Sequence, residues 1–221
     1  MTGLRAERRS NETRIRAVCT TVASGGRSIL RTPALDEADT RWFSQQGFEV
    51  VQTLTMLQRE CRGTRVSRTE SATLAVTRRQ LRSRRRDELF DRLLRIDADS
   101  FPPPWNLDRA AFEKACDATD DHVVRVATDG ASDVIGFALV GRTGSYAYLQ
   151  RLAVAPQLRR RGVGRRLVEE SLAWASDRGA DTLFVNTEPT NTAALALYAS
   201  LQFTTRTEVL SVLEREVADR A

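Results

Sequence analysis

The apolar run LAVAP, Leu152 to Pro156, passes directly into QLRRRGVG and then into RRLVEESLAWASDRG. LAVAP is too short for a helix, and the residues beyond the glycines carry Leu167, Val168, Leu172, Ala173 and Ala175 on one helical face. The stretch therefore reads as a strand, a tight glycine loop and an amphipathic helix that stops near Gly179. Such a unit dictates its surroundings. The strand needs partners on its edges, and the helix needs a sheet to cover its apolar stripe.

The flanking sequence supplies both. Three strand patterns, HVVRVATD, DVIGFALVGR and SYAYLQRLAVA, are separated by the turn residues ATDGASD and TGS, so they form an antiparallel meander. After the helix come a strand DTLFVNT, a helix NTAALALYASL and a final strand pair around TTRTEVLSVLERE. Upstream, TRRQLRSRRRDELFDRLLRIDADSF reads as a helix, FPPPWN breaks it, and LDRAAFEKACDA starts another. The fold class is α/β (α+β), a mixed and mainly antiparallel sheet with helices on both faces.

Composition excludes several functions. No apolar run approaches the roughly 20 residues of a membrane span, and MTGLRAERRSNETR lacks the apolar block of a secretory signal, so a cytoplasmic chain with no membrane partner is expected. Cys19, Cys61 and Cys116 are widely spaced without neighbouring histidines, so they read as packing residues and no metal is called for. His122, the one histidine, reads as a strand-end surface residue. Up to Asp87 there are 18 arginines against 9 acidic residues, whereas the remainder is net acidic. In the arginine-rich helix from Thr77 the arginines lie off the apolar stripe, Asp87, Glu88 and Asp91 can pair with them three or four residues away, and no aromatic interleaving accompanies the charge, which disfavours nucleic acid as a partner.

By geometry, a strand running into a glycine loop at a helix N-terminus holds a phosphate. The first-turn amides point outward, the helix dipole is positive there, and Gly162 and Gly164 let an oxyanion come close. Neither G-x-G-x-x-G nor a G-K-[ST] ending is present, so dinucleotide and P-loop readings fail. The run LAVAPQLRRRGVGRRLVEESL instead resembles the acetyl-coenzyme A signature of the GNAT superfamily of N-acetyltransferases, and NTEPTNTAALALYASLQF resembles that family's second block. The likeness covers roughly Glu88 to Glu216, and FPPPWN is similar to the loop of ribosomal-protein alanine acetyltransferases. Gln202 stands where the family usually has glycine.

The resemblance implies acetyl-coenzyme A as cosubstrate and an amine as acceptor. It places the backbone of Leu152, Ala153 and Val154 along the pantetheine arm, and Arg159, Arg160, Arg161, Gly162, Val163, Gly164 and Arg165 around the pyrophosphate. Asn191 would bond the pantetheine, or merely cap its helix. Tyr198 would protonate the departing thiolate, or merely pack with Leu195 and Leu201. Where the family carries a carboxylate base this chain has Asn186, Tyr148 and Gln150, leaving Glu188 as the candidate base or as a surface loop residue. A peptide N-terminus or a small amine of low pKa is the expected acceptor. A non-catalytic acetyl-coenzyme A sensor and an arginine-rich nucleic-acid module are the rival classes.

The first 61 residues carry an echo of the last part of the chain. LTMLQRE at Leu54 to Glu60 matches LSVLERE at Leu210 to Glu216, QQGF matches SLQF, and GGRSIL matches GADTLF. Ile15, Val18, Cys19 and Val22 recur at helical spacing before that. The expected organisation is a degenerate half copy of the same fold over residues 1–61, a linker over 62–77 and a catalytic domain over 78–221. In the half copy Phe43 stands for Tyr198 and Asp36 for Asn191. Its unpaired sheet edge would be covered by the catalytic domain's sheet or by a second copy of the chain.

Overall fold

The computed structural model describes residues 15, 19–24, 27–63, 73–76, 87–129 and 133–217. In chain order its elements are β1 (Thr20–Ser24), β2 (Arg27–Arg31), α1 (Glu37–Gln45), β3 (Glu49–Glu60), β4 (Thr73–Val76), α2 (Asp87–Ser100), α3 (Arg109–Asp117), β5 (Asp121–Thr128), β6 (Val134–Thr143), β7 (Tyr146–Val154), α4 (Val163–Asp177), β8 (Thr182–Thr187), α5 (Thr192–Ser200) and β9 (Thr204–Glu216). They belong to two compact units, one drawn from Met1–Met56, Thr187–Asn191 and Arg206–Ala221, the other from Leu57–Asn186 and Thr192–Thr205.

In the larger unit the strand order is β8, β7, β6, β5, β4. The pairs from β4 to β7 are antiparallel, and β7 with β8 is parallel. Helices cover both faces of this sheet. On one side Leu167, Val168, Leu172 and Ala175 of α4 pack on Val123, Ala138, Val140, Ala147 and Leu149. On the other side Phe90, Leu93 and Ile96 of α2 and Phe112 of α3 pack on Val124, Val126, Phe137 and Leu139. The central strand β6 is buried along most of its length because both faces are occupied, which is why its sequence reads as a continuous apolar run. Gly136 on β6 has a structural reason: a Cβ there would sit 2.9 Å from the Ala153 carbonyl oxygen and 3.3 Å from Val163.

The smaller unit pairs β1 with β2 and β2 with the end of β9, all antiparallel. Its core holds Ile15, Leu30, Leu35, Phe43, Phe48 and Leu213. Asp36 caps α1 by accepting from the Asp39 amide at 2.9 Å. The helical spacing of Ile15, Val18, Cys19 and Val22 predicts a helix through Val22, whereas Thr20–Ser24 is a strand. The β-branched residues Thr20, Thr21 and Val22, together with the Gly-Gly step before Arg27, favour a hairpin over a continued helix. Two further differences have simple causes. TLAV inside the expected linker forms β4 along the edge of β5, and the expected final strand pair is one strand, β9, because no turn residue interrupts it. The helix expected from Thr77 is seen from Asp87 onward; residues 77–86 lie outside the described residues.

The ends of α1 and α5 match bond for bond. After α1, the amides of Gln46, Gly47 and Phe48 donate to Phe43, Ser44 and Phe43 at 2.9, 3.1 and 3.2 Å. After α5, Leu201, Gln202 and Phe203 donate to Tyr198, Ala199 and Tyr198, each at 3.0 Å. Gly47 has φ +81° and Gln202 φ +63°, so Gln202 holds a left-handed turn at a cost of about 1 kcal/mol that glycine would not incur. Arg215 Nη1 donates to the Gln46 carbonyl at 3.0 Å in the smaller unit, and Arg59 Nη1 donates to the Leu201 carbonyl at 2.7 Å in the larger. Each helix end thus receives an arginine from the strand that follows the other helix.

The larger unit depends on that early segment. Leu57 and Cys61 are core residues there, the Cys61 amide donates to Asp181 at 2.9 Å, and burial pushes the Cys61 thiol up to about 11. A Glu70–Ala221 fragment lacks all of these contacts. It is expected to aggregate or to lose its cooperative melt; a soluble, cooperatively unfolding fragment in chromatography and calorimetry would contradict this.

Candidate active site

The donor side of the site is built by the end of β7. Leu149 pairs with Val140 and Arg151 with Leu139, so Gln150 is an extra residue with no partner on β6. The ladder to β8 ends at Leu149 opposite Val185, while the ladder to β6 continues through Leu152, Ala153 and Val154. Those three residues therefore present one strand edge that β8 does not use. A ligand with amide groups can pair with such an edge as an added strand would.

Beyond Val154 a short 3-10 turn, Pro156–Leu158, leads into the arginine loop. Arg160 has φ +65° and Gly162 φ +83°, and the first intrahelical bond of α4 runs from the Arg166 amide to the Gly162 carbonyl at 3.0 Å. The amides of Val163, Gly164 and Arg165 precede it, so helix geometry leaves them unbonded within α4 and aimed out of its positive end. A Cβ at Gly162 would meet nothing within 4 Å, so this glycine is required by its backbone conformation and faces open space. Gly164 has another role, with a Cβ position 3.5 Å from Leu197 of α5.

The loop arginines divide into two kinds. Arg159 donates through Nε to the Val154 carbonyl at 3.1 Å and through Nη2 to Ser100 Oγ at 3.3 Å. Arg165 is held by Glu169 at 3.1 Å and Ser200 Oγ at 3.0 Å. Arg160 and Arg161 are exposed and make no hydrogen bond or ion pair among the described residues. Two cations are thus unengaged, while two others fasten the loop to its frame.

Tyr198 lies in the larger unit at 4% exposure, packed with Leu201 and with Phe203 at 5.5 Å between ring centroids. Burial raises its phenol above the ordinary tyrosine value, so the hydroxyl keeps its proton at any physiological pH. Glu188 and Asn191 fall in the smaller unit. Glu188 is exposed and accepts from Gln52 Nε2, and its carbonyl accepts from the Asn191 amide at 3.0 Å. Gln150 Oε1 is buried and has no hydrogen-bond partner among the described residues. The described residues contain no cluster of His, Cys, Asp or Glu suited to a metal, and no helix long and apolar enough to cross a membrane.

One group escaped sequence reasoning. Asp97 of α2 is fully buried and binds Arg151 of β7 in a two-pronged pair, Nε to Oδ1 at 2.6 Å and Nη2 to Oδ2 at 2.9 Å. The same carboxylate accepts from the Leu107 amide at 2.6 Å, and Arg151 also donates to the Trp105 carbonyl at 2.7 Å while stacking on Phe101 at 3.4 Å. This pair ties the Phe101–Leu107 loop to the residue just before Leu152. Its signal was an acid on the apolar stripe, seven residues after Phe90 and four after Leu93. Asp97→Ala would strand a buried guanidinium and is expected to lower stability by about 3 kcal/mol in denaturant unfolding; a loss below about 1 kcal/mol would show the pair to be dispensable.

The comparisons with known proteins agree with this geometry. The chain is 34% identical over 112 residues to an N-alpha-acetyltransferase RimI of Mycobacterium tuberculosis, covering 49% of the chain and 64% of that protein. It is 44% identical over 57 residues to a ribosomal protein bS18-alanine N-acetyltransferase of Salmonella typhimurium, covering 26% and 38%. The matches thus span less than two thirds of either relative. A GCN5-related N-acetyltransferase from Sphaerobacter thermophilus shares the fold at TM-score 0.57 and 14% identity, covering 86% of this chain and 60% of that one. The family model described as Acetyltransferase (GNAT) family matches residues 90–203, just over half of the sequence, and the chain belongs to that family.

Proposed function

We propose that the chain transfers an acetyl group from acetyl-coenzyme A to a protein or peptide N-terminal α-amine, or to a small amine of similar pKa. The observation that carries this reading is the unused edge of Leu152–Val154 leading into a left-handed loop and the open N-terminus of α4. The amides of Val163, Gly164 and Arg165 with the unengaged Arg160 and Arg161 would take the pyrophosphate, and the strand edge the pantetheine amides. Arg159 would hold the loop in shape.

A neutral amine attacks the thioester carbonyl, the C–N bond forms, and the C–S bond breaks with the pair leaving on sulfur. The protonated Tyr198 phenol can donate to that sulfur. The amine's proton goes to water or, in the alternative kept open by sequence, to Glu188. Substrate pKa favours an α-amine: near ~8 it costs roughly 1 kcal/mol to deprotonate at neutral pH, against roughly 4–5 for lysine near ~10.4. The names of the two relatives, a ribosomal protein bS18-alanine N-acetyltransferase and an N-alpha-acetyltransferase, support the same choice. A non-catalytic sensor is favoured only by the uncharged Tyr148, Gln150 and Asn186; measuring turnover and coenzyme affinity on one sample separates the two readings.

We also infer that residues 1–61 are a degenerate half copy of the same fold, corresponding to its β8–α5–β9 part. The matching helix ends and exchanged arginines support it. With Phe43 for Tyr198 and Asp36 for Asn191, it keeps the scaffold without the chemistry.

Incubation with acetyl-coenzyme A and a panel of peptides and amines tests the assignment. Gly162→Glu puts a carboxylate where the phosphates would lie and is expected to abolish coenzyme binding; retained micromolar affinity in calorimetry would exclude the phosphate loop. Tyr198→Phe is expected to cut turnover about 10-fold or more with coenzyme affinity nearly unchanged. Because burial raises the phenol, its donor form persists as pH rises. The wild-type rate should therefore climb to a plateau near the amine pKa, without a fall at about pH 9.

A further inference from the structure

The face of β7 and β8 opposite α4 carries an aromatic shelf with no catalytic assignment. Along β7 the side chains alternate, Ala147 and Leu149 buried under α4, Tyr146 and Tyr148 exposed at 49% and 39%. On β8, Leu183 and Val185 are buried while Phe184 turns to the other face. There Phe184 contacts Tyr146 at 5.6 Å and lies nearly parallel to Tyr148 at 5.8 Å, 26° between ring planes. Tyr148 is paired directly with Phe184, and only the Leu149 to Val185 rung separates them from the end of the ladder. The shelf is the last surface on this face before the strand edge that would hold the acetyl donor.

The neighbours of the shelf on β6 and β8 are uncharged, and Arg151, beyond the bulge on the same face, is paired with Asp97. Gly141 and Thr143 of β6 stand opposite Tyr148 and Tyr146, and Thr182 and Asn186 flank Phe184 on β8. Resting on the acetyltransferase reading, we infer that this shelf receives an apolar side chain at the second or third residue of a peptide acceptor. An extended peptide advances about 3.3 Å per residue, so those side chains fall over Tyr148 and Phe184 when the first amine sits at the ladder's end. Two large rings already fixed against each other offer apolar contact at little entropic cost. A polycationic acceptor would lose hydration against rings whose neighbours on β6 and β8 return no opposite charge.

The test uses the full chain with coenzyme A and short peptides that begin with alanine and differ only in carrying leucine, tyrosine, glutamate or lysine second and third, with spermidine as the polycation. Calorimetric affinity is read apart from acetylation. The leucine and tyrosine peptides should bind at least about fivefold tighter than the glutamate and lysine peptides and spermidine. Tyr148→Ala should erase that difference and leave coenzyme affinity unchanged, and Tyr148→Phe should restore it. Binding that ignores those residues, prefers spermidine, is absent for all peptides, or survives Tyr148→Ala overturns the shelf. Selective peptide binding without acetylation leaves the shelf standing and refutes the acetyltransferase reading instead.

Discussion

A strand edge that gives up one partner while keeping the other is the constraint from which this site follows. The extra residue Gln150 lets β7 stay on β6 through Val154 after its ladder to β8 has stopped at Leu149. Exposed backbone donors and acceptors are costly unless water, ligand or protein meets them. Here protein meets part of the demand: the Val154 carbonyl accepts from Arg159 at 3.1 Å. The rest of the edge remains available to a molecule with amide groups of its own. A bulge that would weaken an ordinary sheet thus accompanies a strand edge that β8 leaves open.

Holding that edge in place requires stiffness around it. The Asp97–Arg151 pair is well suited because the guanidinium is planar, contacts two carboxylate oxygens and a carbonyl, and rests on the Phe101 ring. A lysine could match the charge but not this geometry. On the other flank, Gly136 lets β6 approach the Ala153 carbonyl, while Arg165 links α4 to Ser200 at the end of α5. Packing, fork geometry and missing side chains each fix a different side of the same short segment.

What could be read from the amino acids was what local pattern determines. The meander β5 to β7 and helix α4 follow from period and turn residues, and they lie where LAVAPQLRRRGVGRR and its neighbours put them. β1 was hidden because Ile15, Val18, Cys19 and Val22 recur at helical spacing, while Thr20–Ser24 is fixed as a strand by its pairing with β2. β4 was hidden because TLAV is short and lies in polar sequence. The Asp97–Arg151 pair could not be read because its partners are 54 residues apart and meet only after the bulge reorients Arg151. Nor does spelling reveal that Arg159 and Arg165 serve structure while Arg160 and Arg161 stay unengaged. All four are arginines in one short run, Arg159 to Arg165.

Under the proposed function, the uncharged residues Tyr148, Gln150 and Asn186 would suit an α-amine acceptor through charge placement. A carboxylate base there would favour the protonated amine, so part of the attraction would stabilise the unreactive form. An uncharged, aromatic face instead leaves the amine's protonation near its solution value, and an α-amine is then partly neutral at physiological pH. Lysine gains no such advantage. In the proposed reading, the uncharged residues at Tyr148, Gln150 and Asn186 and the proposed shelf would select in the same direction: for an acceptor whose nitrogen needs little help to deprotonate and whose following side chains prefer rings to water.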